Sequence, residues 1–182
     1  MGEALLIIDM QAEMQSRLDS GRDHVNGDAP AIIGKIAGAC RQAGIPVIHI
    51  RHRSEDPASS FAAGCAGAQP LACDRATPDE AVFEKTGSSA FAGTGLEAHL
   101  RQTGIASLMV AGAVAGFCVN STVRSAADLG FRVKIIRDGV LGFDLPDAKL
   151  SARQVFDVTM ALLEADFSTV IDSAEFLSAH TA

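Results

Sequence analysis

Three residues that can do chemistry together lie far apart in the sequence, each at the end of an apolar run. Asp9 directly follows residues 4–8, Lys85 ends residues 81–85, and Cys118 comes a short small-residue turn after another run. The carboxyl ends of parallel strands lie on one edge of a sheet, so these side chains can meet in one crevice. The pattern predicts a site that combines a carboxylate, an amine and a thiol.

This combination suits nucleophilic catalysis by a cysteine. A thiol attacks as its thiolate, and both a neighbouring ammonium and the helix N-terminus expected at Cys118 favour that anion. Asp9 can take the thiol proton and later activate a water molecule. Backbone N–H groups of residues 112–116 can hold the oxyanion. Each residue also has a plain structural reading: Asp9 as a cap or turn former, Lys85 as a solvated lysine, Cys118 as a buried thiol.

Apolar runs alternate with amphipathic segments, which predicts a three-layer α/β/α fold, Rossmann-like, with a six-stranded, mainly parallel sheet. The predicted strands are residues 4–8, 46–50, 81–85, 108–111, 131–136 and 167–171. The predicted helices are residues 28–43, 94–102, 118–129 and 146–165, followed by a short one at the end of the chain. Residues 12–27 are predicted to be irregular, residues 54–78 to form a long loop and residues 138–139 to turn the chain. The inner face predicted for the last long helix consists of Leu150, Val155, Val158, Ala161 and Leu162.

Composition places the chain among globular proteins and excludes several partners. Its 182 residues are 48% hydrophobic and 20% charged, without repeat or linker, so residues 1–182 are predicted to form one domain. The formal net charge is −7 and no Lys/Arg cluster is present, which argues against nucleic-acid binding. No apolar run approaches the ~20 residues that a membrane-spanning helix needs. Without a signal-peptide pattern or a Cys-x-x-Cys pair, a cytoplasmic protein with reduced thiols is expected.

Four segments carry a family resemblance when taken together. They are LLIIDMQ at 5–11, PVIHIRH at 46–52, FEKTGSSAFAGTGLEAHL at 83–100 and VAGAVAGFCVNSTVRSAADLGFRVKIIRDG at 110–139. These motifs span most of the chain in the family's order. In them the chain resembles the isochorismatase-like cysteine hydrolases, which include nicotinamidases and N-carbamoylsarcosine amidohydrolase.

The resemblance implies a catalytic triad of Asp9, Lys85 and Cys118 and a cis peptide bond between Ala113 and Val114. It implies that Asp9 deprotonates Cys118, that Lys85 stabilises charge, and that the N–H groups of Val114 and Cys118 bind the oxyanion. The expected substrate is a small amide or carbamoyl compound that passes through a thioester, with no cofactor. A homodimer or homotetramer is expected. The candidate substrate contacts are Gln11, Phe91, Val114 and Phe117.

One departure from the family pattern concerns the end of the second strand. Nicotinamidases carry Asp-x-His there as part of a metal site, whereas this chain has Arg51, His52 and Arg53. His49 and His52 without an acidic partner are weak evidence for a metal site, so no metal is predicted. His49, within the strand, is expected to be a satisfied buried histidine. Arg51 or Arg53 either binds an anionic substrate group or lies at a solvated strand end.

Three other functions stay open at this point. Residues 93–98 fit G-x-G-x-x-A, but the preceding strand ends too far upstream and no acidic residue follows at the spacing that dinucleotide binding requires. Isochorismatases cleave a vinyl ether without needing a cysteine nucleophile. A non-catalytic relative that serves as a binding subunit is the third, because Ala115 and Gly116 replace the family's usual Thr and polar residue.

Overall fold

The computed structural model describes residues 2–180; the first residue and the last two of the predicted domain lie outside this range. The strands are β1 (Gly2–Ile8), β2 (His24–Val25), β3 (Val47–His52), β4 (Ala81–Lys85), β5 (Ile105–Ala113), β6 (Arg132–Phe143) and β7 (Thr169–Ile171). The helices are α1 (Ala12–Asp19), α2 (Ala29–Gln42), α3 (Leu96–Gln102), α4 (Asn120–Asp128), α5 (Ala152–Asp166) and α6 (Ser173–His180). Short 3-10 turns cover Ala66–Ala68, Ala72–Asp74 and Pro146–Ala148, and a π-helical turn covers Ala115–Val119.

Within residues 2–180 the strands form one seven-stranded sheet in the order β2-β6-β5-β1-β3-β4, with β7 also paired to β6. The pairings among β1, β3, β4, β5, β6 and β7 are parallel, whereas β2 runs antiparallel to the end of β6. Helices pack on both faces of the sheet. The three-layer, mainly parallel α/β architecture is therefore confirmed, with one more strand than the six expected.

The central strand β1 explains why its sequence is continuously apolar. Ala4, Leu6 and Ile8 face a core that α3, α4 and α5 cover, and Leu5 and Ile7 face a second core that α2 and α6 cover. All five are fully buried. Because successive side chains point to opposite faces, a strand covered on both sides carries no polar alternation.

Residues 12–27 are not irregular, contrary to the prediction. They contain α1 and the two-residue strand β2. Met14 is the one residue of α1 that is fully buried, so the apolar stripe that normally reveals a helix is almost missing. The two residues of β2 are defined by pairing with Gly142 and Phe143, which no local pattern announces.

The predicted turn at residues 138–139 is also wrong, because β6 continues to Phe143. The strand bulges instead: Val110 lies opposite Ile135, and Gly112 lies opposite Val140. The extra residues on β6 bend it without ending its pairing with β5. An Asp-Gly pair marks such a bulge as readily as it marks a turn.

The inner face of α5 differs from the predicted one. Leu150, Val158 and Leu162 are 41%, 60% and 54% exposed. The residues that are buried are Ala152, Phe156, Thr159, Met160 and Leu163. The helix begins after Ser151, which forms a reciprocal capping box with Gln154. Apolar residues occur on both sides of this helix, so periodicity alone did not decide which side packs on the sheet.

Candidate active site

The ends of β1 and β4 and the turn after β5 bring Asp9, Lys85 and Cys118 together. Lys85 Nζ lies 2.8 Å from Asp9 Oδ2 and 3.2 Å from Cys118 Sγ. Strand order explains the contacts, since β5 and β3 flank β1 and β4 lies one strand further out. The long lysine side chain spans this extra distance. The three residues that the sequence singled out therefore meet on one edge of the sheet.

Lys85 contacts both of the other residues in the cluster. Its side chain is fully buried, and Nζ donates a third hydrogen bond to Gly87 O at 3.2 Å. An ammonium group has three N–H donors and no acceptor, so these three contacts use all of them. The solvated lysine considered from sequence is thereby excluded. A buried cation that contacts both a carboxylate and a sulfur can stabilise the negative charge on either of them.

Asp9 leaves one carboxylate oxygen available. Its backbone has φ +52°, in the left-handed region that aspartate tolerates, and turns the chain out of the sheet. Oδ2 is bound by Lys85, whereas Oδ1 is buried and has no hydrogen-bond partner among the described residues. Burial raises the pKa of Asp9 above the ordinary 3.8, and Lys85 opposes that rise. A buried, unpartnered oxygen is ready to accept a proton or a hydrogen bond from a ligand.

Cys118 lies within the π-helical turn Ala115–Val119, just before α4. Burial raises the pKa of its thiol to about 12, Asp9 adds to the rise, and Lys85 opposes it. Lys85 therefore favours the thiolate, as predicted from sequence, but burial and Asp9 outweigh it. A thiol with a pKa of about 12 is protonated at neutral pH, so an attack by the thiolate needs a base.

The backbone before Cys118 is tightly constrained. The Ala113–Val114 peptide bond is cis, as the family resemblance implies. Gly112 has φ +125°, and a Cβ there would collide with the backbone of Ile8. At Gly116 a Cβ would lie 3.2 Å from Val155 Cγ1 of α5. Close packing on β1 and α5 thus accounts for small residues at Gly112 and at Gly116, which is one of the two positions at which this turn departs from the family pattern.

Cys118 and Asp9 border a cavity of about 240 Å³. Its other polar wall residues are Arg17 and His52, and its apolar wall residues are Met14, Phe61, Ala113, Val114 and Phe117. This volume lies just below the ~300–1,000 Å³ that is typical of small-molecule sites. A ligand of this cavity must be small and must present carbon to most of the wall.

His52 reaches the cavity because it lies at the end of β3, in register with Lys85 on β4. The side chain of Gln11 clamps its backbone: Gln11 Nε2 donates to His52 O at 3.0 Å, and His52 N–H donates to Gln11 Oε1 at 2.8 Å. The ring of Phe61 packs against the imidazole with a centroid distance of 5.2 Å. Burial, and secondly Lys85, lowers the pKa of His52 below 6.5, so the ring is neutral at neutral pH.

Two of the four predicted substrate contacts do not reach this cavity. Val114 and Phe117 line it, but Gln11 is buried and engaged with His52 and with Ala68 O. Phe91 stacks on Phe131 at 5.9 Å in the core. Sequence reasoning missed Met14, Arg17 and Phe61, because α1 was not recognised and Phe61 belongs to the long loop.

The other polar residues in and just after β3, which corresponds to the second strand predicted from sequence, have structural partners. His49 is fully buried, as predicted, between Asp74 Oδ1 at 2.6 Å and Glu80 Oε2 at 3.1 Å. Arg51 binds Asp74 Oδ2 at 3.1 Å, which fixes the end of the long loop to the sheet. Arg53 is exposed and pairs with Glu84. At the end of β3, Arg51 therefore holds the long loop and Arg53 contacts the neighbouring strand β4.

Two other kinds of site are absent from residues 2–180. Among residues 2–180, no group of three or more His, Cys, Asp or Glu side chains is arranged to hold a metal ion. In the same part of the chain, no helix has the length and apolar character needed to cross a membrane.

Comparisons with known proteins agree with this geometry. A family model described as the isochorismatase domain matches residues 3–175. The isochorismatase family protein YrdC of Bacillus subtilis is 28% identical over 179 residues, 97% of this chain and 95% of that protein. N-carbamoylsarcosine amidase of an Arthrobacter species is 45% identical over 69 residues, 37% of this chain and 26% of that protein. A crystal structure of an isochorismatase-family protein from Chromobacterium violaceum superposes with TM-score 0.91 at 36% identity, covering 99% of this chain and 94% of that one.

Proposed function

Because the chain belongs to the isochorismatase family, we propose that it is a cysteine hydrolase that releases ammonia or an amine from a small amide or carbamoyl compound. The observation that carries this proposal is the buried Lys85 ammonium, which contacts Asp9 and Cys118 at once beside a small cavity. A thiol nucleophile, a carboxylate base and a cation are the groups that acyl transfer through a thioester requires.

In the first half-reaction, the Cys118 thiol transfers its proton to Asp9 as Sγ attacks the substrate carbonyl carbon. The carbonyl π electrons move to oxygen, and the backbone N–H groups of Val114 and Cys118 stabilise that oxyanion. When the carbon–oxygen double bond re-forms, the carbon–nitrogen bond breaks. The leaving nitrogen takes the proton from Asp9, which leaves a thioester on Cys118 and an ionised carboxylate.

In the second half-reaction, Asp9 accepts a proton from water as the water oxygen attacks the thioester. The carbon–sulfur bond then breaks, the acid product leaves, and sulfur recovers a proton from Asp9. Lys85 stays hydrogen-bonded throughout and offsets the negative charge as it passes between carboxylate and sulfur. Since the thiol pKa is raised to about 12, attack needs a base, and we assign that role to Asp9, whose carboxylate is close to Sγ through Lys85.

Alkylation of Cys118 tests this assignment without a mutation. We expect ammonia release from at least one member of a panel of small primary amides and ureides. That activity should fall at least about 100-fold once iodoacetamide has modified Cys118 completely. Mass spectrometry of the peptides reports which cysteine carries the label. Protein labelled at Cys65 alone should keep its activity, and undiminished activity of protein labelled at Cys118 would refute the covalent route.

The pH dependence follows from the base assigned to Asp9. A carboxylate accepts a proton only when ionised, so kcat/KM should rise with pH through the pKa of Asp9 in the folded protein. Because burial raises that pKa, the acid limb should have its midpoint above 3.8. Steady-state ammonia release across pH gives the midpoint, and circular dichroism shows whether the protein stays folded. A midpoint at or below 3.8 would contradict Asp9 as the buried base.

Two expectations about the cellular form remain predictions. We place the protein in the cytoplasm and expect a homodimer or homotetramer. The exposed apolar side chains of Leu150, Val158 and Leu162 offer one surface for such contacts.

A further inference from the structure

The wall of the cavity contains two polar side chains that the proposed hydrolysis does not use, Arg17 and His52. Buried or half-buried polar groups in a largely apolar wall fix which ligands fit, because they need partners of matching chemistry. Their chemistry therefore bears on the substrate rather than on bond cleavage. The inference drawn from them rests on the proposed function.

Arg17 is a half-exposed cation that is held in place from two sides. Its Nε donates to Glu13 Oε1 at 2.8 Å, and its guanidinium carbon lies 5.9 Å from the ring centroid of Phe143. No described residue accepts a hydrogen bond from Nη1 or Nη2 of Arg17. The end of the guanidinium fork is thus free to bind a carboxylate with two parallel hydrogen bonds.

His52 adds a second hydrogen-bonding group without adding charge. Its Nδ1 is buried and has no partner in the described structure, so Nε2 is the ring nitrogen left open to a ligand. A neutral imidazole has one nitrogen that donates and one that accepts a hydrogen bond. A buried N–H donor without a partner is rarer in proteins than a buried acceptor without one, so the unpartnered Nδ1 is taken as the acceptor. The proton is therefore assigned to Nε2, which makes His52 a hydrogen-bond donor. Gln11 and Phe61 fix the ring in this place.

We propose that the substrate is a short amide that also carries a carboxylate, which Arg17 binds through its free Nη groups while His52 donates a hydrogen bond. The apolar wall formed by Met14, Phe61, Val114 and Phe117 holds the connecting carbon chain. The cavity of about 240 Å³ limits that chain to a few carbons. A protein with net charge −7 repels anions at long range, so an anionic substrate needs a local cation of this kind.

Arg22 supplies a matched control for Arg17. It stacks over the same Phe143 ring, at 5.2 Å, and its Nε is paired with Asp144 at 2.7 Å, but it does not line the cavity. Substituting either arginine by methionine removes a charge and a stacking contact beside Phe143. Only Arg17→Met also removes a group from the cavity wall.

Succinamate and butyramide test the proposal, because they share the amide and the carbon number and differ in the carboxylate. We expect kcat/KM to favour succinamate by at least 10-fold. That preference should fall about 10-fold or more in Arg17→Met, mainly through KM, partly recover in Arg17→Lys and stay unchanged in Arg22→Met. His52→Leu should weaken the preference, whereas His52→Gln, which can place an amide N–H near the position of Nε2, should retain it. A wild-type protein with no preference, or equal effects of Arg17→Met and Arg22→Met, would overturn the proposal.

Calorimetry with succinamate on Cys118→Ala protein separates this inference from the proposed function, since it measures binding without turnover. Binding that Arg17→Met weakens at least 10-fold supports the carboxylate site even if the wild type hydrolyses no amide, in which case the proposed function fails alone. If the wild type hydrolyses both amides and Arg17→Met does not change binding, the carboxylate site is refuted while the proposed hydrolase activity is supported.

Discussion

Substitution of Cys118 by alanine is expected to lower kcat/KM for ammonia release by about 10⁴-fold or more, to the background rate. The reason is that Sγ forms the covalent bond to the substrate, and neither Asp9 nor Lys85 can replace it. Asp9 is the base and Lys85 has no acceptor capacity. The measurement is a coupled ammonia assay on the best amide of the panel.

The loss must be separated from a folding defect. Removing Sγ leaves one Nζ–H of Lys85 without its 3.2 Å partner in a buried site, which costs roughly 1–3 kcal/mol of stability. Cys118→Ser keeps an acceptor for Lys85 and should recover most of that stability, yet it should remain nearly inactive because its hydroxyl is a weaker nucleophile. Cys65→Ala, in the long loop, should behave like wild type. Ammonia release that survives in Cys118→Ala would refute the covalent route through Sγ.

The candidate site could be located from sequence because its three residues lie at or just after strands that are visible as apolar runs. The apolar run of β1 and the end of β4 at Lys85 were predicted within a residue or two, since doubly covered strands show as unbroken apolar runs. A parallel sheet then forces their carboxyl ends onto one edge. The proximity of Asp9 and Lys85 therefore follows from their positions at the carboxyl ends of parallel strands and does not depend on the local secondary-structure propensity of either segment.

The environment of the site could not be located in the same way. Arg17 lies on a helix with almost no apolar stripe, and Phe61 lies in a long loop whose path depends on contacts such as that of Gln11 with Ala68 O. The pKa of Cys118 depends on the balance between burial, Asp9 and Lys85, which sequence cannot supply. Sequence therefore predicted which groups the proposed reaction uses, and the folded structure was needed to give the direction in which their pKa values shift.

Asp9→Asn is expected to move two rates in opposite directions. Hydrolysis should fall by about 10²–10⁴-fold, because an amide cannot take the thiol proton or activate water. Alkylation of Cys118 by iodoacetamide should become faster at the same pH. Burial is the main cause of the raised thiol pKa, the charge of Asp9 adds to it, and Lys85 opposes it. Removing the charge of Asp9 therefore lowers the thiol pKa, and the thiolate fraction grows.

Peptide mass spectrometry over a time course gives the alkylation rate of Cys118, and the rate of Cys65 in the same sample serves as an internal reference. An Asp9 that only positions Lys85 would make both rates fall together, since a displaced ammonium no longer favours the thiolate. Faster labelling with lost turnover is the one combination that a base acting on a protonated, buried thiol produces, because the same carboxylate that enables attack on substrate suppresses ionisation of the thiol at rest.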